Sequence, residues 1–559
     1  MKFSQDSIGG KLKSIQRDAE ERDAKRRAKE EGYPYIDLRA QAIDKTALEL
    51  VSEGMAKSAK AVTFDRTKKR MAVATFTSKS NEFGKLSLIL EETKLKPVIY
   101  IASLSSIEEA WGNYASVRAE ERVEIVSEIR LEEGVLESKT NIKSTAQAVE
   151  DMAQIDSDTQ TTDALVKVLA DAVVLGASDI HLEAENKEAV LRYRIDGTLY
   201  EIGRIPKDIQ SRLIGRIKLL ANLRLNIKDE AQDGRFTIRR KGGDIEARVS
   251  IIPAEYGESA VLRVLDPENI RLGLKDLGLR ESDEKNLMIS IKKPNGMILV
   301  TGPTGSGKTT TLYTLLKIKS SPQSKTITIE DPVEYHLEGI EQTQANPKEG
   351  YTFAAGLRSI LRQDPDNILV GEIRDKETAN TAIDAALTGH LVFSTLHTNN
   401  AAGAIPRLVD LGVKTDSIAP ATNLIIAQRL VRKLCEKCKK PAPMDEETIL
   451  KLQKLLEGLP EGSVDKKIKP RLYLKNNCEA CEDGYRGRTG IFELLLLDET
   501  FEEIISQKSG EAKIQNYARQ KGMVYIQEDG IIKAMQGITT LEEVEKATGP
   551  IKWPPLSVE

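Results

Sequence analysis

Residues 302–310 read Gly302-Pro303-Thr304-Gly305-Ser306-Gly307-Lys308-Thr309-Thr310 and fit the pattern G-x-x-x-x-G-K-[ST]. At ordinary residue usage, about 2% of chains this long would hold such a pattern by chance. The flanks strengthen it. Met297-Ile298-Leu299-Val300 is a buried-strand run, and the stretch 309–319 that follows has helical character. Strand, glycine loop and helix in this order make a phosphate-binding loop. Glycines let the backbone close around phosphates, successive N–H groups form an anion nest, and the helix N-terminus adds positive potential. Lys308 is expected to reach the β- and γ-phosphates, and the Thr309 hydroxyl to ligate Mg²⁺.

Such a loop needs acidic residues at neighbouring strand ends. Asn367-Ile368-Leu369-Val370 leads through Gly371 to Glu372, which could hold a magnesium-bound water or polarise the attacking one. Thr326-Ile327-Thr328-Ile329 leads to Glu330, Asp331 and Glu334, further candidates for activating water. Leu391-Val392-Phe393-Ser394-Thr395 leads to His397. Polar residues at the C-terminal ends of several strands make the ligand crevice of an open α/β sheet. A lone glutamate after a strand is more often a helix cap or surface group, so the case rests on convergence. The histidines are His181, His336, His390 and His397. His390 and His397 flank one strand, and His397 is the functional candidate.

Four cysteines form two CxxC pairs, Cys435/Cys438 and Cys478/Cys481. In a reducing compartment this pattern predicts a tetrahedral zinc site before disulfides. The intervening stretch, 439–477, exceeds the usual 15–20 residues, but the longer loop costs only about 0.5–1 kcal/mol extra against about 10–16 kcal/mol for structural zinc. Four ligands leave no open position, so the zinc is expected to be structural. Lys433, Lys437, Lys439 and Lys440 can offset the thiolate charge.

The elements that must position these residues are spread over 559 residues, enough for about three to five domains. Hydrophobic residues at 40% supply real cores. A net charge of −4 and 4% aromatics argue against a nucleic-acid-binding protein. No apolar run reaches the roughly 18–20 residues that span a bilayer, and the N-terminus lacks a secretory signal. A cytoplasmic protein, at most peripheral to a membrane, is expected. Residues 1–32 hold nine basic and seven acidic side chains. Ile8, Leu12, Ile15 and Ala19 recur there at helical spacing, although such charge alternation usually marks a solvated face. A small α/β domain follows at 33–115, with strands at 61–65, 70–76 and 96–102. A linker is expected at 116–163, and a second domain at 164–270, where Leu191, Tyr193 and Ile195 alternate with Arg192 and Arg194. Alternating strands and helices over 271–430 predict a doubly wound parallel sheet. The cysteine element occupies 431–486, and a helical region 487–559.

Four blocks together resemble one family. GPTGSGKTTTLY (302–313) resembles the Walker A motif of the bacterial type II/IV secretion ATPases. TITIEDPVEY (326–335) is similar to their aspartate box, LRSILRQDPDNILVGEIRD (357–375) to their Walker B region, and TGHLVFSTLHTN (388–399) to their histidine box. SDIHLE (178–183) and RYRIDG (192–197) resemble their second N-terminal domain. The resemblance implies a multi-domain α/β chain: a RecA-like P-loop motor preceded by a PAS-like domain, a small N-terminal α/β domain and a tetracysteine zinc element. It implies ATP, Mg²⁺ and Zn²⁺ as ligands. It makes Glu334 the catalytic base, Glu372 the Walker B acid, and His397 a γ-phosphate sensor. Arg248 and Arg263 match the family's arginine fingers, and Arg358, Arg362 and Arg374 occupy family-matching positions that could face a neighbouring subunit. It further implies a homohexamer that works on an inner-membrane platform protein to assemble pilin-like subunits. The long cysteine loop and GYRGRTGIFELL (484–495) look closer to the type IV pilus assembly branch than to type II secretion. Some relatives bind cyclic-di-GMP through an N-terminal Arg-Leu-Gly motif. Residues 1–150 contain none, so no such binding is expected.

Overall fold

A computed structural model describes residues 5–553 apart from 42, 49, 67–69, 93–94, 115–126, 140–141, 143, 156–157, 242, 268–272, 464–467 and 508–509. The chain divides into two compact units, 1–126 and 127–559.

In the first unit, β1 (Ala61–Arg66) pairs antiparallel with β2 (Arg70–Thr75), and β2 pairs parallel with β3 (Lys96–Ile101). The helix Gln5–Glu31 is not a purely solvated one. Ala24 and Ala28 are buried. Glu21 accepts hydrogen bonds from Tyr35 and Ser103 at 2.6 Å each, and Glu31 accepts one from Thr77 at 2.7 Å. Small alanines let this half of the helix approach the sheet while its carboxylates find partners there. The side chains of Ile8, Leu12 and Ile15 lie outside the described residues.

The second unit begins inside the stretch expected to be a linker. There β4 (Glu128–Arg130) and the helix Thr145–Met152 form, with Ile129, Leu131, Ala148 and Met152 buried in a shared core. Scattered single apolar residues between charges hid this packing from a periodicity reading. The sheet they join contains β5 (Asp179–Ala184), β6 (Glu188–Ile195), β7 (Thr198–Pro206), β8 (Gln232–Arg239), β9 (Ile245–Ala254) and β10 (Gly257–Leu265). Their order is β4-β8-β9-β10-β5-β6-β7, antiparallel throughout except β4 with β8. Helices Thr161–Val174 and Lys207–Leu220 cover one face. The opposite face carries the arginines, because successive side chains point to opposite sides of a strand.

The motor sheet is built from β11 (Gly296–Thr301), β12 (Thr326–Glu330), β13 (Glu341–Gln344), β14 (Asn367–Val370), β15 (Leu391–Leu396), β16 (Thr422–Leu434) and β19 (Tyr485–Leu496). Their order is β13-β12-β14-β15-β11-β16-β19. All neighbours are parallel except β16 with β19. The strand before the glycine loop, β11, is central and buried along its whole length. Apolar cores cover both faces, as the continuous hydrophobic strands require. The cysteine element is an excursion between the adjacent strands β16 and β19, with its own small pair β17 (Lys440–Pro441) and β18 (Tyr473–Leu474). The expected boundaries at 430/431 and 486/487 therefore fall within strands.

Candidate functional site

β11 delivers the chain into the loop 302–307, and the helix Lys308–Lys319 leaves it. Two of the glycines are sterically required. Gly302 has φ +153°, and a Cβ there would lie 2.6 Å from both the Gln428 carbonyl and Ser306 Oγ. Gly307 has φ +88°, and a Cβ would meet Gln428 Nε2 at 2.8 Å. The loop is thus pressed against β16, with its helix N-terminus open. Lys308 Nζ donates to the carbonyls of Gly302 and Pro303 at 2.8 and 3.0 Å. Burial lowers its pKa, Glu372 raises it, and Arg429 lowers it further. Ser306 Oγ is buried with no hydrogen-bond partner among the described residues. A cation held by weak carbonyl partners and an unpaired buried hydroxyl fit a loop that takes a phosphate.

The loop opens into a cleft of about 850 Å³ between the motor sheet and the second domain. From the motor side it is lined by Thr309, Glu334, Glu372 and His397, and from the second domain by Asp179, Arg194 and Arg263. Glu372 follows β14, with its side chain only 13% exposed. It pairs with Arg374 Nε at 2.6 Å and lies 3.6 Å from His397 Nε2. Burial first, then Lys308, lowers the His397 pKa below the ordinary 6.5, while Glu372 opposes the shift. The surroundings of His397 therefore favour the neutral imidazole.

Glu330 and Glu334 separate clearly. Glu330 is buried at the end of β12 and accepts from Tyr313 OH, from Thr328 Oγ1 at 2.6 Å and from Gln342 Nε2 at 3.2 Å. Both its oxygens are engaged, although it too borders the cleft. Glu334 lies beyond it on the cleft wall, 3.3 Å from Arg248 Nη1. Arg248 also donates to the Val333 carbonyl and, at 3.3 Å, to Glu246. Arg263 has a different environment. It donates through Nε to Asp179 at 2.9 Å and has a 59% exposed side chain. Of the residues expected to face a neighbouring subunit, Arg358 pairs with Glu377 and Arg362 donates to Ser359 Oγ at 3.1 Å, both within this chain. His390 Nδ1 lies 3.0 Å from the Ala385 carbonyl, a structural contact.

Sequence reasoning did not single out Asp179, Arg194 or Arg429. The first two stand in SDIHLE and RYRIDG, but their pairing depends on strand register. Arg429 lies on β16 behind Gly302 and donates to the Asn399 carbonyl at 2.9 Å.

The four cysteines converge. Sγ separations are 3.8 Å (Cys435–Cys478), 3.7 Å (Cys438–Cys481) and 3.5 Å (Cys478–Cys481), and all four sulfurs lie within 4.8 Å of one another. A tetrahedral zinc–thiolate centre with bonds of about 2.3 Å has edges of about 3.8 Å. A disulfide needs about 2.05 Å. Burial pushes the Cys438 thiol up to about 12. The spacing fits a tetrahedral tetrathiolate centre, and the cluster could hold zinc.

Fold and site together define a P-loop NTPase with a RecA-like motor. The central loop strand, the acidic strand ends and the facing second domain are its parts. The chain belongs to the type II/IV secretion system protein family, whose model matches residues 154–546. It is 45% identical over 400 residues to the type II secretion system protein E of Pseudomonas aeruginosa, covering 71% of this chain and 78% of that protein. It is 37% identical over 527 residues to the type IV pilus assembly ATPase PilB of Myxococcus xanthus, covering 94% of this chain and 90% of that one. The fold resembles the Legionella pneumophila ATPase DotB, with a TM-score of 0.52 at 22% identity over 73% of this chain and 98% of that one. The protein is an ATP-hydrolysing enzyme, and use of ATP and Mg²⁺ comes with its family. Among the described residues no helix is long and apolar enough to cross a membrane.

Proposed function

We propose that the chain is a hexameric cytoplasmic motor that hydrolyses ATP to extend a type IV pilus, acting at the inner face of the membrane through a platform protein. The observation that carries the motor reading is the shared cleft: the P-loop and acidic strand ends form one wall, and arginines of another domain form the other. Closure of such a cleft converts a nucleotide's occupancy into domain motion, because the two states differ in their contacts.

In this reading the backbone of residues 302–307 and the Lys308 side chain bind the phosphates, with Pro303, Thr304 and Thr310 completing the loop's walls. Thr309 and, through water, Glu372 would hold Mg²⁺, which supplies charge neutralisation when bound. Glu334 takes the proton of the attacking water as its oxygen bonds to the γ-phosphorus and the bond to the β-phosphate oxygen breaks. For this it must exchange its Arg248 partner for water. Arg248 and Arg263 then neutralise charge on the transferring phosphoryl, a role worth about 10³–10⁵ in rate. His397 reads the γ-phosphate as a neutral donor. The cysteine element holds structural zinc.

The pilus reading is supported by the match to a pilus assembly ATPase over 94% of the chain, which includes the N-terminal region. Type II secretion is the second reading, favoured by the 45% identity to a secretion ATPase over the shared motor. Expression in bacteria lacking either ATPase separates them: restored surface pili support the first, restored export of secreted enzymes the second. For the site, Glu334→Gln is expected to lower kcat by about 10²-fold or more with ATP binding retained. Wild-type turnover in this variant would remove Glu334 as the base. Neither nucleic acid nor cyclic-di-GMP is expected as a partner, and micromolar binding of either by calorimetry would overturn that.

A further inference from the structure

Four adjacent strands place a row of charges on the cleft-facing side of the second domain's sheet. Arg248 on β9 is in register with Arg263 on β10, Arg263 with Asp179 on β5, and Asp179 with Arg194 on β6. Asp179 is the carboxylate among three arginines, and its side chain is only 8% exposed. Its Oδ1 accepts from Arg263 Nε at 2.9 Å, and its Oδ2 lies 3.5 Å from Arg194 Nε and accepts from Ser178 Oγ at 2.9 Å. The carboxylate therefore takes Arg263 side-on. Both Nη groups of Arg263 lack a hydrogen-bond partner among the described residues, on a residue that lines the nucleotide cleft. Without the carboxylate, neighbouring guanidinium groups would repel one another, and Arg263 would be free to rotate among its staggered rotamers.

We propose that Asp179 is a positioning residue for ATP hydrolysis: it clasps Arg263 and Arg194 by their Nε ends, so that Arg263 presents its Nη groups to the nucleotide. This rests on the reading that Arg263 serves the transferring phosphate. Displacing a catalytic group by about 1 Å can cost about 10²-fold in rate. ATP binding depends on the P-loop, which Asp179 does not touch.

The test uses full-length protein with Asp179→Asn, Asp179→Glu, Arg263→Ala and the Asp179→Asn/Arg263→Ala pair, reading kcat, ATP affinity and melting midpoint. Asp179→Asn is expected to lower kcat by about 10–100-fold with ATP affinity within about threefold, and the double variant to be no slower than Arg263→Ala. Asp179→Glu keeps the charge but shifts it by about 1.5 Å, so it is expected to fold normally and still lose kcat. It decides the matter if Asp179→Asn proves unstable. Wild-type kcat in Asp179→Glu, or losses that multiply in the double variant, would overturn the proposal. Wild-type kcat in Arg263→Ala would instead remove the reading beneath it.

Discussion

At the scale of single residues, Lys308 and His397 show what charge and burial do at the phosphate end of the cleft. Lys308 donates to two loop carbonyls, partners that a phosphate displaces because its full negative charge attracts the ammonium more strongly than a carbonyl dipole does. Lys308→Ala is expected to abolish turnover and weaken ATP binding by about 10²-fold or more, read by stopped-flow or equilibrium binding. His397 has its pKa lowered by burial and by Lys308. A lowered histidine pKa means the proton is taken only on the acid side of the ordinary 6.5. If the neutral ring is the working form, kcat is flat from pH 7 to 8 and falls as pH drops below 6.5. His397→Gln is expected to start from a lower kcat and to flatten that acid limb. A variant with the same acid limb as wild type would assign the titration elsewhere.

At the scale of elements, the loop and its neighbouring strand act as one object. Gly307 stands at positive φ against Gln428 of β16. Gly307→Ala therefore adds about 1–2 kcal/mol of left-handed strain and a steric conflict, which is expected to weaken ATP binding by about tenfold or more in a fluorescence titration. A second device ties the segment before β5 to its domain. Asp171, wholly buried on the helix Thr161–Val174, lies 3.0 Å from Lys139, which also pairs with Asp151. Burial pushes the Asp171 carboxyl up to about 6. A carboxyl whose folded pKa exceeds its unfolded value near 3.8 binds more protons when folded. Its contribution is complete below 3.8 and is lost as pH rises through about 6. The melting midpoint of wild type minus that of Asp171→Asn is thus expected to fall between pH 4 and 6 and to level off above. A difference that rises over that range would contradict the sign.

At the scale of the whole second unit, the cysteine element reaches beyond its four-cysteine cluster. Glu482, next to Cys481, accepts from Thr145 Oγ1 at 2.7 Å at the start of the helix Thr145–Met152. Asp196, in the β6–β7 turn, accepts from the Gly487 N–H at 2.6 Å. The first joins the β16–β19 excursion, and the second the adjoining start of β19, to the domain that carries the arginines. Loss of the metal should therefore loosen the second domain as well as the element. Cys438→Ser, or prolonged chelation, is expected to remove about one zinc per chain, lower the melting midpoint and reduce kcat while the P-loop stays intact. Metal analysis, calorimetry and turnover on the same preparation check this. Full activity and stability without zinc would confine the element to another role.

Local chemistry was legible in the sequence. The glycine loop at 302–309, the acids at 334 and 372, His397 and the paired cysteines stand out as candidates because residue type and short spacing along the chain mark them, and the apolar runs around them predicted the strands. The match of β1, β2 and β3 to stretches read as strands has the same cause. Tertiary structure decided what depends on distant segments meeting. Register across β9, β10, β5 and β6 set Asp179 between two arginines, and no spacing in the chain encodes it. Packing made core residues of Ile129 and Met152 in a supposed linker, since burial of isolated apolar side chains depends on the surface they meet. It also separated Glu330, buried and engaged by Tyr313, Thr328 and Gln342, from the more exposed Glu334, which faces Arg248. Two glutamates four residues apart are alike in sequence, and only their surroundings give them different chemistry.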